Sequence, residues 1–185
     1  MNLLRHKVLE IAFKIVDVLT GEILDAHQAT LAISPAQWSQ SDPESLKING
    51  FSWLDIQNRG VPLEKVSKEI IDCFVKNQIK RGSAVFICQN PSFDRAFFAQ
   101  LVDPDTQEKA LWPYHWLDLA SMFWVMAIKR KELKNGMWPW ESGLSKDKIA
   151  AAFQLPNEDK PHRAMNGVDH LILCYRAVTG FPLSN

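Results

Sequence analysis

Two stretches of this chain carry residues whose types and spacing could do chemistry. One is Pro161-His162-Arg163-Ala164-Met165-Asn166-Gly167-Val168-Asp169-His170, where a proline-delivered histidine meets a carboxylate at the mouth of a helix. The other is Gln89-Asn90-Pro91-Ser92-Phe93-Asp94-Arg95. A histidine side chain, with an ordinary pKa of ~6.5, can take a proton from water at neutral pH. Carboxylates are the usual ligands of hard divalent cations. At about 100° per residue, a continuous helix projects His162, Asn166 and Asp169 within roughly 60° of one another and points Gly167 well away. A histidine that precedes the helix escapes that arithmetic. Asp169 is therefore read either as a metal ligand or as a solvated or capping Asp in a first turn.

The elements that must position these residues follow from pattern. Val8 to Asp17 is apolar on both faces and reads as a buried strand. With Thr20-Gly21-Glu22 as the turn and an extended stretch in Ile23 to Ile33, it forms an antiparallel hairpin. Pro43 to Ile48 and Trp53 to Asn58 can each hold a helical turn or two, and Pro62 to Asn77 is a helix packed on a sheet. Ser83 to Cys88 is continuously apolar, as in a strand covered on both faces. Ser92 then reads as the N-cap of a helix Phe93 to Leu101. Asp94 thus falls just past the C-terminal end of a buried strand, where open α/β sheets place their ligands.

Tyr114 to Leu117 is a second short strand, with Asp118 capping a helix to about Lys131. Asn135 to Gly143 is a loop, Ser145 caps a helix through Phe153, and a last helix runs from Ala164 to Val178 before Gly180 and Pro182. His170 reads as an ordinary residue of that helix. The tryptophans at 112, 116, 124, 138 and 140 read as packing rather than base stacking. Lys129-Arg130-Lys131 with Lys134 reads as a helix C-terminus obeying its dipole rather than a phosphate site.

At 185 residues, 46% apolar and 23% charged, the chain is of single-domain size, 1–185, and of ordinary globular composition. Lys plus Arg and Asp plus Glu balance at 21 each, so net charge steers neither toward nor away from nucleic acid. Cys73, Cys88 and Cys174 are odd in number and sit in apolar settings, which predicts reduced thiols in the cytoplasm. No apolar run reaches the ~18 residues of a membrane span. No Ser or Cys triad motif and no Gly-rich phosphate loop occurs.

Three stretches together resemble the histidine-bearing branch of the DEDD superfamily of 3′-5′ exonucleases (DEDDh). They are Val85 to Asp94, Gly143 to Ala150 and Pro161 to Met165, in that order, and the resemblance spans about Lys7 to Val178. It implies an α/β, ribonuclease H-like mixed sheet flanked by helices. It also implies metal-dependent hydrolysis of nucleotides from the 3′ end of single-stranded DNA or RNA, using two Mg2+ or Mn2+ ions ~3.5 to 4 Å apart. On this resemblance Asp94 matches a metal ligand, His162 the general base, and Asn90 and Phe93 the substrate contacts.

Two departures stand beside the matches. The first motif of the resembling family, an Asp and a Glu on the first strand, is absent, and Glu10 belongs to the following strand. The last metal-binding Asp is expected at the position that is Gly167 here, and Asp169 comes two residues later. The absent strand would lie between the Val8 and Ser83 strands. With strands ~4.8 Å apart, its loss leaves a slot with unpaired edges. Three outcomes are expected in this order: a start upstream of Met1, a strand supplied by a partner or a second copy, or a sheet closed by altered pairing. The expected function is a 3′-5′ exonuclease homologue with little or no activity in this form, or else a non-catalytic nucleic-acid-binding or interaction module.

Overall fold

The structure, a computed structural model, describes residues 5–134 and 137–182, without the side chains of 131–134. Met1 to Leu4, the side chains of Lys131 and Lys134, and the start of the predicted 135–143 loop lie outside the described residues.

The predicted hairpin forms. β1 (Glu10–Val16) pairs antiparallel with β2 (Ile23–Thr30), with Glu10 opposite Thr30 and Phe13 opposite His27. Asp17 shapes the turn by accepting the backbone N–H groups of Leu19 and Thr20 at 2.8 Å each. Every residue of β1 is only half-buried, against the expectation of a strand buried on both faces. The reason is its place in a sheet two strands wide, where β2 is its sole hydrogen-bonded neighbour among the described residues.

Three short helices follow, α1 (Pro35–Trp38), α2 (Pro43–Asn49) and α3 (Trp53–Arg59), capped by Ser34, Asp42 and Ser52. Each cap side chain accepts an orphan N–H of the first turn, which compensates for the few internal bonds of so short a helix. α4 (Leu63–Lys76) begins one residue later than expected, with Pro62 at its N-cap. It buries Val66, Ile70 and Phe74.

β3 (Phe86–Cys88) and β4 (Trp116–Asp118) pair in parallel, Phe86 opposite Trp116 and Cys88 opposite Asp118. Between them lie α5 (Pro91–Phe98) and α6 (Pro104–Lys109). The chain closes with α7 (Leu119–Lys134), α8 (Pro139–Ser142), α9 (Lys146–Ala152) and α10 (Ala164–Thr179).

The core has two parts. In the first, α4 packs with Phe98, Leu101, Val102 and Trp112. The Phe74 ring lies 5.3 Å from Phe13 of β1 and 6.0 Å from Phe86 of β3, so α4 bridges the two strand pairs. The second joins Leu119, Phe123, Ile149, Ala150 and Cys174 of α7, α9 and α10. Cys88 and Cys174 are buried free thiols and Cys73 a half-buried one.

Among the described residues the two strand pairs do not hydrogen-bond to each other, so the sheet is not closed by altered pairing. α10 instead lies along β1. Glu10 accepts the Ala164 N–H at its start (2.8 Å), and Lys14 binds Asp169 further on.

Candidate functional site

Asp94 is delivered as the sequence predicts, in the first turn of α5 just after β3. The N-cap, however, is Asn90 rather than Ser92, because Pro91 takes the first helical position and Asn90 accepts the left-handed backbone (φ 63°) that the sharp turn needs. Ser92 lies inside the helix and donates its hydroxyl to Asn90 Oδ1 at 2.8 Å. The Asn90 N–H donates to Asp118 Oδ1 at 3.1 Å. Asp118 also accepts the N–H groups of Ala120 and Ser121, so one carboxylate caps α7 and ties the ends of β3 and β4 together. Burial pushes the Asp118 carboxyl up, but these bonds and the Ser121 hydroxyl hold it below its ordinary value.

Asp94 has fewer partners. Burial pushes its carboxyl up to about 6, and the Cys88 thiol and the charge of Lys146 offset only part of that. The neighbouring Phe93 is 42% exposed, its ring 4.8 Å from that of Phe97.

His162 precedes α10, whose N-cap is Arg163, so the helical arithmetic does not extend to it. The loop is pinned from several sides. The His162 N–H donates to Ile48 O at 3.3 Å. The Arg163 guanidinium lies 3.9 Å over the Phe51 ring and 3.7 Å from Asp55. The His162 ring donates Nδ1–H to Glu158 Oε1 at 3.0 Å. That bond leaves Nε2 as the proton-accepting nitrogen.

Glu158 is the residue that sequence reasoning missed. Its side chain is only 7% exposed, yet it binds His162 through one oxygen and Lys146 through the other, at 2.6 Å. Burial raises its pKa, but the hydrogen bonds from Lys146 and His162 hold it below the ordinary value. The available signal was its place four residues before His162 in a loop otherwise open to water. His170, buried and bonded through Nε2 to Pro156 O at 3.0 Å, packs beneath the same carboxylate, with Nδ1 3.8 Å from Glu158 Oε2.

Lys146 links the two halves of the site. The loop before it is drawn in by Gln89, whose amide donates to Leu144 O at 2.8 Å. Its ammonium donates to Gly167 O at 3.2 Å as well as to Glu158. A Cβ at position 167 would meet that ammonium at 3.3 Å and Glu158 Oε1 at 3.5 Å. The position expected to carry a metal-binding Asp therefore presents no side chain, and a cation stands against it.

Asp169 is 54% exposed and paired with Lys14 of β1. Among the described residues, no group of three His, Cys, Asp or Glu side chains is arranged to hold a metal ion. The donor set around Asp94 does not fit a two-ion centre.

Trp138 and Trp140 stack at 4.9 Å and 8°, with Trp124 5.6 Å from Trp140, and Trp112 and Trp116 pack in or against the first core. Arg130 lies over the Phe153 ring at 4.6 Å.

No family model matches the sequence, and no curated protein is significantly similar to it. Solved structures are similar in fold. The nuclease domain of 3′hExo, a DEDDh family member bound to rAMP, aligns with TM-score 0.63 and 13% identity over 97% of this chain and 85% of that one. A 3′-exonuclease recognising the 3′ end of a histone mRNA stem-loop aligns at 0.68 and 13% over 97% and 58%. Cell-death related nuclease 4 aligns at 0.66 and 13% over 95% and 58%. This chain spans less than two thirds of the length of the last two. No helix among the described residues is long and apolar enough to cross a membrane. In architecture, then, this chain has the ribonuclease H-like fold of DEDDh 3′-5′ exonuclease domains.

Proposed function

We propose that this chain engages the 3′ end of a single nucleic-acid strand through its exonuclease-like fold, without metal-dependent hydrolysis by its own described residues. The observation that carries this reading is Gly167, with the Lys146 ammonium against it where a metal-binding carboxylate is expected. Asp94, Asn90 and the exposed Phe93 ring form the wall at the ends of β3 and β4 that meets the strand end, Phe93 by stacking on a base. His162 is held in place by Glu158. Similar folds with bound rAMP or a histone mRNA stem-loop support a nucleotide-bearing ligand. Free thiols support a reducing compartment such as the cytoplasm. Among the described residues the four strands form two separate two-stranded sheets, which supports a strand supplied by a partner or second copy, read by sedimentation.

The test is fluorescence anisotropy of a single-stranded oligonucleotide with magnesium or with chelator, run beside a gel assay of 3′ shortening. Binding unchanged by chelator and an intact oligonucleotide are expected. Magnesium-dependent release of 3′ nucleotides, abolished by Asp94→Ala, would refute the reading. One observation favours a second reading, hydrolysis: Glu158 holds the His162 ring through Nδ1, the orientation a general base working through the other nitrogen needs. The same gel decides between them.

A further inference from the structure

We propose that Lys146 is the resident cation of this site, its ammonium taking the place of a divalent ion and excluding Mg2+ and Mn2+. The inference deepens the reading above and rests on it for the location of the site.

Three observations carry it. First, the ammonium is bound by groups a divalent cation would also seek, a Glu158 carboxylate oxygen at 2.6 Å and the Gly167 carbonyl at 3.2 Å, with the charge of Asp94 close enough to feel it. Hard oxygens of this kind are the natural ligands of Mg2+. Second, the cation is enclosed. The Lys146 side chain is 22% exposed and the Glu158 side chain 7%, so the pair is neutralised inside the fold rather than by solvent ions. Third, the backbone makes room for it, since any side chain at position 167 would project onto the ammonium at 3.3 Å. A second cation entering this space would meet Lys146 at short range with little water between them, and like charges at such distance repel strongly. Removing the ammonium reverses the balance, taking from Glu158 its lysine partner and from Asp94 the charge that partly offsets its burial.

The experiment titrates Mn2+ into the full chain and reads free and bound ion by electron paramagnetic resonance. Wild type is expected to bind no Mn2+ up to millimolar concentration. Lys146→Met is expected to bind at least about tenfold more tightly than wild type, because its carboxylates are uncompensated. Lys146→Arg, which keeps the cation, is expected to behave as wild type. Wild-type binding as tight as that of Lys146→Met overturns the proposal. Should Lys146→Met fail to fold, the wild type decides alone: submillimolar Mn2+ uptake that Asp94→Asn abolishes overturns it, and no uptake supports it. Oligonucleotide binding is measured separately in chelator. Its absence would sink the nucleic-acid reading and leave the exclusion of Mn2+ standing.

Discussion

Asp94 at the start of α5 and Glu158 in the loop before α10 are two buried carboxylates of one site with opposite fates. Burial drives Asp94 up to about 6, whereas Glu158 stays below its ordinary value although its side chain is nearly sealed from water. The difference is in burial and in partners. Glu158 receives Lys146 and His162 directly, while Asp94 receives a thiol and the same lysine only through its charge. Protonation here follows burial, which weighs more on Asp94, together with the allocation of one cation. The structure holds Glu158 as a paired anion and leaves Asp94 under-served.

Breaking the served side should cost most. Lys146→Met leaves the Glu158 charge buried with only His162 and His170 beside it, and should lower stability by about 3 kcal/mol at neutral pH in urea unfolding. An unchanged unfolding midpoint would show that water, not Lys146, neutralises Glu158.

The under-served side should respond in the opposite direction. The carboxyl of Asp94 moves from 3.8 to about 6 on folding, so the folded chain holds the proton more tightly. Its contribution is fully present below pH 3.8 and is lost as pH rises through about 6. Asp94→Asn should therefore stabilise the fold by about 1–3 kcal/mol above pH 7 and do nothing below pH 4. Urea midpoints across pH read this directly, and a destabilised variant at pH 8 would sink the contrast.

Two smaller changes sharpen it. Arg163→Ala removes the cation over the Phe51 ring and should cost about 1 kcal/mol, loosening the His162 loop, visible as faster amide exchange around residues 161–164. Lys14→Ala, which frees the half-exposed Asp169, should cost well under about 1 kcal/mol. A larger loss of thermal stability there would mean that the β1–α10 contact holds more of the fold than a surface ion pair does.

Most elements are readable because their causes are local. Ser145 precedes Lys146-Asp147-Lys148 and accepts the Lys148 N–H, Asp118 binds Ser121, and Gly180 in a left-handed conformation ends α10, all within a few residues of chain. The same locality put Asp94 at the end of β3 and made the glycine at position 167 visible as a departure. Misreadings arose where two local rules competed: Ser92 is a good cap residue, but Pro91 prefers the first helical position and moved the cap to Asn90.

By itself the amino-acid order determined which chemistry is represented: a carboxylate after a buried strand, a proline-delivered histidine, and no carboxylate five residues beyond it. Only the tertiary structure decided who meets whom. Lys14 reaches Asp169 across 155 positions, Glu10 caps α10 from 154 positions away, and Gln89 draws in the Lys146 loop from 55. Any of the 21 basic and 21 acidic residues could pair on composition alone. Long-range pairing depends on where packing brings β1, α9 and α10, so the ion that Lys146 chooses is a property of the fold and not of the neighbouring text.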